Sequence, residues 1–312
     1  MSFKQIIELA ELLDDGRVTG EDVVRYIKSQ GDVEASCVTV QGDRGTTDFV
    51  KFLIPGKNGK SKGGSAPTLG IVGRLGGLGA RPERIGFTSD GDGALAAAGC
   101  AAQLARQLIR GDQLEGDVIV GTHICPNAPT LPHKPVPFMD SPCTMDVLNA
   151  HEIDPQMDAI LSIDTTKGNQ IICKSGIAIS PTVLKGYILR VSEDLLYIMG
   201  VTTGKLPATF PITQQDITPY GNGLYHMNSI LQPAVAADVP VVGIAITTES
   251  VVPGCATGAT HLTDVDDAVR YAVEVAKSFT AGQCAFYDAE EFGRIESLYG
   301  SMKHFQTFGK ND

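Results

Sequence analysis

Apolar side chains at Ile6, Ile7, Leu9, Ala10, Leu12 and Leu13 recur at helical spacing, and Asp14-Asp15-Gly16 ends the run. A second helix is expected from Thr19 through Tyr26, with Thr19 placed three residues before Asp22 in the manner of a capping box. Together they read as an N-terminal helical hairpin, an appendage over residues 1–34 ahead of one α/β domain over 35–312. The period then changes. Cys37 to Val40 and Asp48 to Ile54 are rich in β-branched and aromatic residues and are joined through Gly42-Asp43-Arg44-Gly45, which is the pattern of a β-hairpin.

Short apolar runs at 68–74, 117–123, 157–164 and 239–246 each read as a buried strand. Between the first two, an alanine-rich stretch from about Gly93 to Arg110 reads as a helix, and strand, helix, strand at this spacing is a βαβ unit of a mostly parallel sheet. Further helices are expected over Pro181 to Met199, His226 to Ala237 and Asp264 to Phe279, with a short strand at Ala208 to Ile212 and a helical tail from beyond Gly282 to Tyr299. From Ile124 to Pro142 the chain loses periodicity and is dense in proline, so a loop is expected to leave the end of a strand there. The class these elements define is α/β: a three-layer α/β/α arrangement with a mostly parallel mixed sheet.

Composition narrows the partners. A formal net charge of −11 over 312 residues argues against nucleic acid, whose phosphates need a basic stripe. No apolar run has the roughly 18–20 residues that span a bilayer, and the N-terminal stretch lacks the apolar core of a signal peptide, so a cytoplasmic protein with no membrane partner is expected. Seven cysteines without framework spacing fit reduced thiols.

Chemistry gathers after the strands. Asp90 and Asp92 flank Gly91 in an acidic, glycine-rich turn that runs into the alanine-rich helix, where they can supply part of a divalent-cation site or cap the helix. Asp164 ends another strand, where it can equally cap a turn, and His261 stands in a loop, with His123 and Cys125 at a further strand end. The carboxyl ends of parallel strands share one edge of an open sheet, so these groups can converge. Carboxylate, imidazole and thiolate suit zinc, manganese or iron, and a cation held so can activate water for hydrolysis. Arg74, also at a strand end, can pair with Asp90 or Asp164, clamp a ligand carboxylate, or substitute for an ion.

The order of Ser89-Asp90-Gly91-Asp92-Gly93 opening an alanine-rich helix, then Asp164, then Thr260-His261 ahead of Asp266-Asp267-Ala268-Val269, resembles the core of the two-metal zinc aminopeptidases and carboxypeptidases. The resemblance implies a zinc-exopeptidase-like fold over most of residues 68–280, Asp90, Asp164 and His261 as metal ligands, and homo-oligomeric assembly. Two of that family's features are replaced here. Arg74 stands where the first metal-binding motif would follow its strand, and His123-Ile124-Cys125 carries no carboxylate where paired acids would fall. The whole chain also resembles the DUF1177 family, which implies no activity.

Three functions are therefore expected as alternatives. One is a metal-dependent hydrolase acting on a small peptide or amide. The second is a metal-free hydrolase or racemase using Cys125 or Cys255. The third is a binding or assembly protein on a peptidase core, taking small peptide or amino-acid-like ligands with no metal.

Overall fold

In the computed structural model, which describes residues 2–169, 171–252 and 257–309, the helices α1 (Phe3–Asp14) and α2 (Gly20–Gln30) come first. The capping box is formed: the Thr19 side chain accepts from the Asp22 N–H while the Asp22 side chain accepts from the Thr19 N–H. Strands β1 (Glu34–Gly42) and β2 (Gly45–Ile54) make the expected antiparallel hairpin. The core then runs β3 (Leu69–Gly73), α3 (Asp92–Ile109), β4 (Val118–Ile124), a two-residue ladder of β5 (Thr130–Leu131) with β6 (Phe138–Met139), α4 (Met145–Glu152) and β7 (Ala159–Thr165). After β8 (Gly176–Ile179), β9 (Val183–Leu184) and β10 (Tyr187–Ile188) come α5 (Glu193–Thr203), α6 (Pro233–Ala236), β11 (Val241–Thr247), α7 (Leu262–Thr280) and α8 (Ala289–Tyr299).

The main sheet has the order β1-β2-β4-β3-β7-β11-β9-β10, with β8 also paired to β11. Strands β4, β3, β7 and β11 are mutually parallel, and antiparallel strands flank them on both sides. Helices cover both faces, which makes the expected α/β class with a mostly parallel mixed sheet. Side-chain alternation sorts the core: Leu161, Ile163, Ile244 and Ile246 pack with α1, α2, α3 and α7, whereas Ile160, Val72 and Ala245 face Ile230, Leu231 and Ala234 on the other side. The buried faces of α1 and α2, carried by Ile6, Leu9, Val23 and Ile27, are part of the first of these clusters.

Two helical expectations fail, and for the same reason. Residues 181–192 form β9 and β10 before Ser192 caps α5, and only Pro233–Ala236 of the 226–237 stretch is helical. Apolar residues in both stretches are buried by contact with β11 and its neighbours, so an apolar run that mimics a helix is drawn into strand or turn by the sheet. Of the strand expected at 208–212, a single bridge between Thr209 and Ile179 remains. Helix α4, in contrast, follows the proline-rich loop without having been expected.

Small residues bring α3 onto the strand ends. A Cβ added at Gly93 would lie 2.5 Å from the Ile163 carbonyl oxygen and closer still to that of Arg74, so only glycine lets the first turn of α3 sit over the ends of β3 and β7. That contact carries Asp90 and Asp92 to the carboxyl edge of the sheet.

Candidate functional site

Loops from different strands interlock at this edge. The loop after β3 bridges the loop after β4 through Gly77 and Cys125, the Ser89 N–H donates to the Thr257 carbonyl, and the Val252 N–H donates to the Gly168 carbonyl. A loop before α6 joins them, because the Ser229 hydroxyl donates to Asp164 Oδ2 at 2.9 Å.

Arg74 makes its direct contacts with α4, in place of the ion pair expected with Asp90 or Asp164, although its charge still acts on Asp164. Its side chain is fully buried, its Nε lies 3.1 Å from Glu152 Oε2, and its guanidinium also contacts Asn149 and Met145. His123 shares the same acid: Nδ1 is 2.7 Å from Glu152 Oε1, and Nε2 is 3.0 Å from the Gly76 N–H. An N–H can donate only to an unprotonated ring nitrogen, so His123 is the neutral imidazole with its proton on Nδ1, donating to Glu152. One carboxylate thus orients both the strand-end cation and the imidazole, and the imidazole in turn holds the loop that starts at Gly76. The His123 expected as a catalytic group is engaged on both nitrogens.

Asp92 belongs to a second buried pair. Lys167 Nζ lies 2.7 Å from Asp92 Oδ2, and the Thr260 hydroxyl donates to Oδ1 at 2.7 Å. Burial raises the Asp92 carboxyl above its ordinary range, and Lys167, Thr260 and His261 oppose that rise. The capping expectation is corrected here: Gly91, not an aspartate, is the N-cap residue of α3, and it makes no side-chain cap bond.

Asp164 is pushed well above the usual carboxylate range, first by burial and then by the charge of Asp90. Ser229, the Thr165 N–H and Arg74 pull the other way. Tyr220 stands beside Ser229 and its hydroxyl is also shifted upward, by burial and by the Asp164 and Asp216 charges. The charge of Asp90 thus acts on Asp164 at this edge. His261 is not brought to them: its side chain is 56 % exposed and its Nδ1 lies 3.4 Å from Asp264 Oδ2.

Cys125 is buried, and burial pushes its thiol up to about 11, which leaves almost no thiolate at neutral pH. Cys255 lies outside the described residues.

The donor set does not fit a pair of metal ions. An ammonium occupies Asp92, a guanidinium occupies the strand end where an imidazole ligand would be needed, and His261 faces Asp264. Among the described residues no three His, Cys, Asp or Glu side chains are grouped to hold a metal. Three residues of this arrangement were not singled out from the sequence. Lys167 lies just three residues past Asp164, so a search of that strand end for charged residues would have found it; Glu152 and Ser229 lie in segments whose local structure was not recognised.

A mostly parallel α/β sheet with a charged cluster at its carboxyl edge is the class this geometry defines. Within that class the chain belongs to the DUF1177 family, described as "Protein of unknown function (DUF1177)", whose model matches residues 38–309. No curated protein matches the sequence. Among solved structures it is similar in fold to the "Bottromycin maturation enzyme BotP", with a TM-score of 0.54 and 16% identity over 90% of this chain and 70% of that one. No helix among the described residues is long and apolar enough to cross a membrane.

Proposed function

We propose that this chain binds a small amino-acid-like or peptide ligand at the carboxyl edge of its sheet, with protein cations where an exopeptidase of related design holds metals. One observation carries the reading: the buried pairs Lys167–Asp92, at 2.7 Å, and Arg74–Glu152, at 3.1 Å, already neutralise the site from within. A buried ion pair is costly to break because it leaves one charge uncompensated, so an incoming metal would have to displace Lys167 from a carboxylate it fully engages. The high Cys125 thiol removes Cys125 as the nucleophile of the Cys-dependent reading.

A second reading, a metal-dependent hydrolase of small peptides or amides, is favoured by Asp90 and Asp164. Two carboxylates crowded together in a buried setting are relieved by a cation, and zinc, manganese or iron is one kind of cation.

Elemental analysis of the purified protein, before and after incubation with each metal, separates the two. The binding reading expects no stoichiometric metal, together with amino acids or dipeptides that raise the melting temperature and are recovered intact. Stoichiometric metal lost in Asp164→Asn, with peptide cleavage, would establish the hydrolase instead.

A further inference from the structure

Strand β1 is a lateral edge of the main sheet, and among the described residues no strand pairs with its outer side. The opposite edge, β10, is only two residues long. β1 has nine residues in unbroken register with β2, from Glu34 opposite Leu53 to Gly42 opposite Gly45. Free edge strands are commonly kept short, bulged, interrupted by proline or loaded with charge, because a row of unpaired N–H and C=O groups invites another strand. β1 has no bulge and no proline, and Ala35-Ser36-Cys37-Val38-Thr39-Val40-Gln41-Gly42 carries no charge.

Hydrogen-bond alternation identifies the free groups. The two-residue loop Asp43-Arg44 makes Gly42 and Gly45 a hydrogen-bonded pair, so Glu34, Ser36, Val38, Val40 and Gly42 bond to β2. Ala35, Cys37, Thr39 and Gln41 then turn their N–H and C=O groups outward, and among the described residues no other backbone group bonds to them.

We infer that this edge is a homodimer interface, in which two copies pair β1 with β1 antiparallel about a two-fold axis through Val38 and continue one sheet across both. In that register Cys37 meets Thr39 of the second copy and Ala35 meets Gln41, so every outward residue faces another outward residue and all their backbone groups are satisfied. Val38, which is 46% exposed, then packs on its own copy, and Ser36 lies against Val40 of the second copy, on the face where Val40 already packs with Phe49 and Leu148. Charge fits as well. At each end the exposed Asp32 and Glu34 of one copy approach Arg44 of the other, whose side chain is 48% exposed beside Asp140. The interface stands whether or not a ligand binds at the strand ends.

Sedimentation velocity of the full chain over a dilution series measures the association, and the parent should sediment as a dimer. Val38→Lys sets two ammonium groups against each other at the axis and should weaken association by about tenfold or more, as should Val38→Glu, with far-ultraviolet dichroism unchanged in both. An equimolar mixture of the two variants should dimerise again, because Lys then faces Glu. Register is read separately by mild oxidation, with the parent as control for its own thiols. Val38→Cys should cross-link to its own copy, whereas Ser36→Cys, displaced from its copy by four residues of strand or roughly 14 Å, should not. A monomeric parent, a dimer that survives both charges, a mixture that stays monomeric, or cross-linking of Ser36→Cys in place of Val38→Cys would overturn the interface.

Discussion

Replacing Glu152 by Gln keeps the side-chain volume and removes one charge, so it measures what that charge holds in place. In the native structure Glu152 accepts His123 Nδ1 at 2.7 Å and faces Arg74 Nε at 3.1 Å, and the side chains of the three residues are between 0% and 2% exposed. In Glu152→Gln the guanidinium stays buried with Asn149 and Met145 as its neutral partners, and one amide oxygen must serve two donors. Removing one partner of a buried pair costs about 3–5 kcal/mol, because desolvation of the surviving charge is no longer offset. For a chain of this length that corresponds to a fall in melting temperature of roughly 5–8 °C, taking an unfolding entropy of about 2 cal/mol/K per residue. Equilibrium urea denaturation and scanning calorimetry of the single variants Glu152→Gln and Arg74→Met, and of the double variant, give the coupling directly. The double variant should recover most of the loss, since it no longer buries an unpaired cation. A single variant within about 1 kcal/mol of the parent, or a double variant as unstable as the sum of the singles, would show that the pair is not the buried, mutually dependent unit described here.

The remaining expectations are independent of that pair. Asp164 has a folded-state carboxyl raised above the ordinary value of 3.8, so the folded state holds the proton more tightly and stability falls as pH rises from about 4 toward the folded value. Asp164→Asn removes this dependence, and its melting temperature should gain on the parent across that window; parallel curves would refute the assignment. Thr19→Ala removes the acceptor for the Asp22 N–H and should cost about 1 kcal/mol in urea denaturation, with the Thr19→Ser chain close to the parent. Iodoacetamide at pH 8 should modify the exposed Cys173 in the native protein and spare Cys125, read by peptide mass spectrometry; rapid Cys125 labelling would contradict its burial and high thiol.

The elements with their own local signals were legible. Thr19 with Asp22 announced α2, the glycine turn announced the β1–β2 hairpin, and the alanine row after Gly93 announced α3. What local pattern could not show was competition between a helix and the sheet: the runs at 181–192 and 226–232 are apolar enough for either, and pairing with β11 and burial beneath it decide. The same limit applied to the candidate site. That Asp90 and Asp164 would lie at one edge followed from strand ends sharing it, and the Asp90 charge acts on Asp164 there. Partner choice did not follow, because Arg74 chose an acid on a helix that the proline-rich loop concealed, and Asp92 chose a lysine in place of the backbone of α3. Pairings across 75 and more residues depend on what packs over each strand end: Arg74 and Asp164 leave the same face in adjacent register, yet the guanidinium is taken by Glu152 and Asn149 of α4.

Glu152 serving both Arg74 and His123 also constrains how this chain can change over generations. A metal-binding imidazole at position 74 would leave Glu152 without its guanidinium, loss of Glu152 would strand Arg74 and His123 together, and a change at His123 would free the Gly76 loop. Each single step therefore passes through a destabilised intermediate, and Lys167 with Asp92 imposes the same barrier next door. Exchange of either cation for another kind of side chain therefore requires concerted substitution of its acid, since each single change leaves a buried charge without its partner.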